Sequence, residues 1–180
     1  MPDTRTLADA LTVSRAGAAL ALAALGLGAG PETLRAAAGL LLYSWTSDFF
    51  DGPLARASSR PHSTWIGRQD LAVDVAVSGG LLVWLCGNGP VPAWLGALYA
   101  AAFLAHVLRR GMHRSVGMLA QGPVYATFIG VALARDPAAG AVLVGWILGV
   151  VVATWPRFPR EVVPEFLAGM RQALGRSGSR

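Results

Sequence analysis

Lysine is absent from this 180-residue chain, cysteine occurs once, and only ten residues are acidic. Charged residues make up 14% of the chain, where a soluble domain carries about 25%. That shortage excludes an ordinary water-soluble domain, and it agrees with a hydrophobic content of 54% and a mean hydropathy of +0.49. The lone Cys86, set in "LLVWLCGNG", excludes an intrachain disulfide and reads as apolar filler. Period-two alternation is missing from the long Ala-, Leu- and Gly-rich runs, which argues against strands. A basic leader is missing as well. Asp3 and Asp9 offset Arg5 and Arg15 ahead of "AGAALALAALGLGAG", and no A-x-A-like site closes that run, so it reads as a retained helix.

What is there reads as an all-α integral membrane protein with a single domain over residues 1–180. A helix crosses a bilayer with about 20 apolar residues. Six such spans are expected, at roughly 13–30, 34–51, 67–87, 92–109, 116–134 and 138–155. "GPET", "CGNGPVP" and "RDPAAG" separate several of them. Short amphipathic helices are expected at the ends: a juxtamembrane segment over 1–12, and a surface tail over 156–180 after the core of 13–155. In the tail, Val163, Phe166, Leu167, Met170 and Leu174 recur at helical steps. Six spans put both termini on one side. Thirteen of the fifteen arginines fall on that side, leaving only Arg35 and Arg135 on the other, so the termini are expected in the cytoplasm. The net charge of +5 is therefore read as loops facing anionic membrane lipid, with no nucleic-acid partner.

The few acids are unevenly placed. Between Glu32 and Asp136 the chain has only Asp48, Asp51, Asp70 and Asp74. Asp48 and Asp51 are three apart and share a face at the cytoplasmic end of the second span. Asp70 and Asp74 are four apart and share a face at the start of the third. Consecutive antiparallel helices can bring the two pairs together. One Asp at a helix centre already costs roughly 2.5–3.5 kcal/mol on the insertion scale. Four clustered carboxylates would repel or take up protons unless cations join them. Oxygen-only donors suit Mg2+ or Mn2+, with no Cys or His cluster to favour zinc. Any single Asp could cap a helix or pair with Arg56, Arg60 or Arg68, but four at helical spacing in an otherwise acid-free stretch point to a metal–phosphate site. Gly52 and Ala55 keep bulk away from the acids, and Arg56 is a planar, permanently charged phosphate donor.

The pattern Asp48-x-x-Asp51-Gly52-x-x-Ala55-Arg56, followed by Asp70-x-x-x-Asp74, resembles the signature of the CDP-alcohol phosphotransferases. Leu11-Thr12-x-x-Arg15 is similar to that family's entry to its first helix. The likeness covers about residues 8–155. One position departs: the family's Gly four residues before the third Asp is Ile66 here, with Gly67 next door. The resemblance implies transfer of a substituted phosphate from CDP-diacylglycerol to a small alcohol, with release of CMP, by a homodimer embedded in membrane lipid. It implies that Asp48, Asp51, Asp70 and Asp74 hold the metal, two ions of Mg2+ or Mn2+. It also implies that Asp74 is the general base, and that Gly52, Ala55 and Arg56, with Gly67 a weaker candidate, contact the CDP moiety. The short chain further resembles the bacterial phosphatidylglycerophosphate synthases of the plasma membrane, although "DLAVDV" stands where those show a D-P-x-A-D-K pattern. Glycerol 3-phosphate is thus a first choice of acceptor, with Arg109, Arg110, His113 and Arg114 as candidates for its phosphate or as plain cytoplasmic positive charge. Two other classes stay open. A membrane prenyltransferase also sets Asp motifs and Mg2+ on a diphosphate, and a small transporter would use carboxylates near mid-bilayer.

Overall fold

A computed structural model describes residues 4–28, 30–56 and 64–175, at 55–56 and 172–175 by backbone alone. Arg60, named above as a possible partner of the acids, lies outside the described residues. Seven α-helices and no strand occur among the described residues: α1 (Thr4–Gly28), α2 (Leu34–Arg56), α3 (Asp70–Gly87), α4 (Ala93–Arg110), α5 (Arg114–Arg135), α6 (Pro137–Ala153) and α7 (Val163–Gly175). Short 3-10 turns at Pro31–Thr33 and Gly67–Gln69 lead into α2 and α3. The first helix starts at Thr4 rather than near residue 13, so Arg15 sits about three turns inside it.

By length and composition, Thr4–Gly28, Gly67–Gly87 and Arg114–Arg135 can each cross a membrane. A fourth span results if α6 and the following Phe158–Arg171, bent by 85° from it, count as one. The sequence reading expected six. The difference has local causes. In α2 the acids and hydroxyls dilute the apolar run, in α4 Arg109 and Arg110 do so, and α6 has only 17 residues.

The chain divides into two compact units, Met1–Gly96 and Ala97–Arg180. In the first, α1 is the central helix. It packs extensively on α3 and on α2, whereas α2 and α3 touch each other little. Ala18, Ala19, Leu22, Leu41, Val77, Leu81, Trp84 and Leu85 are buried there. Small residues let the α1 and α3 backbones approach. A Cβ on Gly26 would lie 2.6 Å from the Trp84 Cα, and one on Gly80 would strike the Ala19 carbonyl oxygen. The fully buried Trp84 donates its indole N–H to Thr33 Oγ1 at 2.9 Å, pinning α3 to the turn before α2. The Ser47 hydroxyl reaches the Leu11 carbonyl at 3.4 Å and ties α2 to α1.

In the second unit α5 pairs with α6 and meets α7. Phe128, Ala132 and Leu143 are buried, and Gly140 lies against the Leu133 backbone. Asp136 caps α6 by accepting the Ala139 N–H at 3.2 Å.

Backbone contact at Gly26 sets a clear expectation. Gly26→Ala should cost about 1–3 kcal/mol, because neither backbone can retreat. Gly39, exposed on α2 with nothing within 4 Å of an added methyl, is the control. Gly39→Ala should be neutral or stabilising by up to about 1 kcal/mol. Thermal unfolding of both variants in detergent checks the pair.

Candidate metal centre

Both acid pairs stand where their spacing requires. Asp48 and Asp51 lie one turn apart near the C-terminal end of α2, and Asp70 opens α3 with Asp74 one turn on. The Gly67–Gln69 turn delivers Asp70: the Gln69 N–H donates to the Ile66 carbonyl at 2.8 Å, which tightens the chain into the helix.

The two pairs meet through α1, not directly. Arg15 Nη1 donates to Asp48 Oδ1 at 2.8 Å and to Asp74 Oδ1 at 2.5 Å. Arg15 Nη2 donates to Asp51 Oδ2 and to Asp70 Oδ1. The Arg15 side chain is fully buried, and its Nε has no acceptor among the described residues. Among the described residues one guanidinium therefore bridges all four carboxylates. The acids differ in access. The Asp48 and Asp70 side chains are 50% and 41% exposed, Asp74 27%, and Asp51 only 11%. An ion can thus approach from the Asp48 and Asp70 side, while Asp51 is locked against Arg15.

Asp48, Asp70 and Asp74 each offer a carboxylate oxygen, and these oxygens lie within 4.8 Å of one another. Such a group could hold a metal ion. The donor set fits a hard divalent cation: oxygen alone, reachable from solvent, and supplied by three acidic side chains. Asp51 joins the cluster through Arg15 rather than as a member of that oxygen group.

Beside the acids lies a pocket of about 130 Å3. Its walls are Arg5, Ala8, Asp9 and Thr12 from α1, Asp51 and Gly52 from α2, and Gly67 and Asp70 at the start of α3. Of the residues expected at a nucleotide, Gly52 and Gly67 line this pocket. Ala55 and Arg56 close α2, and their side chains lie outside the described residues. Arg109 and Arg110 end α4, His113 precedes α5 and Arg114 begins it. All four are exposed in the second unit, around a break where Gly111 takes φ 81° and a His113 ring nitrogen lies 3.1 Å from the Arg110 carbonyl.

Sequence reasoning missed the role of Arg15, which it counted among arginines facing the cytoplasm. The signal was available: a lone arginine inside an apolar helix requires an acidic partner. It missed Arg5, Asp9 and Thr12 as pocket walls because each looks like an ordinary polar residue near a helix start.

A family model described as CDP-alcohol phosphatidyltransferase matches residues 5–159, a stretch that takes in Arg15, both acid pairs and every pocket residue. No curated protein and no solved structure matches the chain.

Removing the shared cation tests the centre. Arg15→Gln leaves buried negative charge unbalanced. The metal-free variant should lose about 3 kcal/mol, at the low end for a broken buried pair because Asp48 and Asp70 are half in water. Mg2+ or Mn2+ should restore much of the loss. Thermal unfolding with EDTA and with added ion reads both effects, and equal stability in EDTA would show that the four ion pairs contribute nothing.

Proposed function

Because the chain belongs to the CDP-alcohol phosphatidyltransferase family, whose members are transferases using a CDP-alcohol donor, an alcohol acceptor and a divalent metal, we propose that it moves a phosphatidyl group from CDP-diacylglycerol to the hydroxyl of a small polar acceptor, first of all glycerol 3-phosphate, and releases CMP. The observation that carries this reading is the convergence of Asp48, Asp51, Asp70 and Asp74 beside the pocket lined by Gly52 and Gly67. Family membership replaces the prenyltransferase and transporter readings.

Asp48, Asp51, Asp70 and Asp74 would hold two ions of Mg2+ or Mn2+. When bound, these supply charge neutralisation for the diphosphate and for the CMP leaving group. Gly52 and Gly67 let the donor approach the backbone, with Ala55 and Arg56 beside the diphosphate. Arg15 holds one oxygen of Asp74. The other oxygen takes the proton of the acceptor hydroxyl as that oxygen attacks the phosphorus bearing the diacylglycerol group. A new P–O bond to the acceptor forms, the P–O bond to CMP breaks, and CMP leaves with the electron pair. Arg109, Arg110, His113 and Arg114 would bind the acceptor's phosphate.

The setting is a homodimer in a bacterial plasma membrane, with α1–α6 as six spans and both termini cytoplasmic. The shorter α4 and α6, 18 and 17 residues, are about 27 and 26 Å long at 1.5 Å per residue, close to a ~30 Å hydrocarbon core. The 85° turn after α6 suits a final helix lying along the surface.

Purified protein given CDP-diacylglycerol, Mg2+ or Mn2+, and a panel of glycerol 3-phosphate, inositol phosphate, inositol, serine, choline and phosphatidylglycerol tests the reading. CMP release is expected with one acceptor, and the absence of release with every acceptor would sink the lipid-donor assignment. Asp74→Asn should lower the rate about 10²–10⁴-fold. If the acceptor is phosphorylated, Arg110→Ala should raise its KM about tenfold with kcat little changed.

A further inference from the structure

The pocket beside the acids has two walls that the family signature does not cover. Arg5 and Asp9 stand four residues apart on one face of α1, and both line the pocket. At about 130 Å3 it is roughly ten times the ~10–15 Å3 that admits one water. It therefore takes a group of several atoms, such as a small ring. Its far wall is Asp51, Gly52 and Asp70, so a ligand whose phosphates sit at the acids places its next group here.

Asp9 is held in place. Thr64 Oγ1 donates to Asp9 Oδ1 at 2.7 Å and accepts the Gly67 N–H at 2.9 Å. This chain of bonds fastens α1 to the turn that starts α3. Gly67 keeps the space open. A Cβ there would lie 3.2 Å from Thr64 Oγ1, 3.5 Å from Arg5 Nη2 and 3.9 Å from Asp9 Oδ1. That contact set gives a reason for the glycine at 67 in this chain: a methyl would crowd Thr64 Oγ1, which orients Asp9, and would take up space between Arg5 and Asp9 at the pocket wall.

The chemistry of the two walls is complementary. An ionised Asp only accepts hydrogen bonds, and Arg only donates them. Cytosine offers the matching edge, an N4 amino donor beside acceptors at N3 and O2, and carboxylates accept from that amino group in known base recognition. Uracil reverses the pattern at positions 4 and 3. Its O4 would face the Asp9 carboxylate with no proton between them, an unpaired contact of the kind that separates near-identical ligands. We infer that Arg5 and Asp9 are specificity-determining residues that read the cytosine edge of the donor nucleotide, with Asp9 oriented by Thr64. This rests on the CDP-donor reading and adds to it the residues that make the donor a cytidine nucleotide.

Binding of CDP and of UDP, each with Mn2+, can be measured by calorimetry on the full chain in detergent. The wild type should hold CDP at least about tenfold more tightly than UDP. Asp9→Asn, whose amide can donate as well as accept, should bring the ratio within about threefold. Gly67→Ala adds one methyl and no charge change. It should weaken both nucleotides about tenfold and leave Mn2+ affinity unaltered, which also reports an intact fold. A wild-type CDP-to-UDP ratio in Asp9→Asn, or undiminished CDP binding in Gly67→Ala, overturns the inference and leaves the transferase reading standing. Failure of the wild type to bind CDP at all overturns the transferase reading itself.

Discussion

A single buried guanidinium among four carboxylates is the constraint on which the first unit depends. Like charges 4 Å apart repel by about 4 kcal/mol at an effective dielectric of 20, so the four acids cannot gather without a cation. An arginine taken out of water without partners costs several kcal/mol, so Arg15 cannot be buried without the acids. Each requirement meets the other at one point, the junction of α1, α2 and α3. That explains why α1, and not a direct α2–α3 contact, organises the unit. One cation shared by four acids also gives the electrostatic basis for a divalent ion at Asp48, Asp70 and Asp74, whose oxygens lie close together.

The ion pairs need the backbones to be close, and small residues make them so. Gly26, Gly80 and Gly87 on the α1–α3 seam remove the side chains that would hold the helices apart. Trp84 at the far end of α3 bonds to Thr33 and fixes the rotation of that helix. With the rotation fixed, Asp70 and Asp74 face Arg15 rather than lipid. A packing decision near one end of α3 thus positions chemistry at the other, over a helix about 27 Å long at 1.5 Å per residue.

Function follows from where this junction lies. Three helix ends meet with acids on one side and a small polar pocket on the other, so a diphosphate and the group attached to it have adjacent places. Thr64 links the pocket to the metal centre through Asp9 and Gly67, so ligand contact and the start of α3 share one network. The proposed acceptor arginines belong to the second unit, at the α4–α5 break.

The sequence by itself determined the helical class, the placement of the acids and the reaction family. Those follow from local rules. Three- and four-residue spacing puts Asp48 with Asp51 and Asp70 with Asp74 on common faces whatever the fold, and apolar runs form helices in a medium that cannot bond the backbone. The first span was expected to start near residue 13 because Arg5 and Asp9 interrupt the apolar pattern before it, whereas α1 begins at Thr4 and Asp9 has a partner supplied from elsewhere in the chain. Only the tertiary structure decided that Arg15 is the common partner of all four acids and that Arg5 and Asp9 wall the pocket. The physical reason is that those contacts join residues 33 to 59 positions apart. Periodicity reports which residues share a face, and packing alone reports which faces meet.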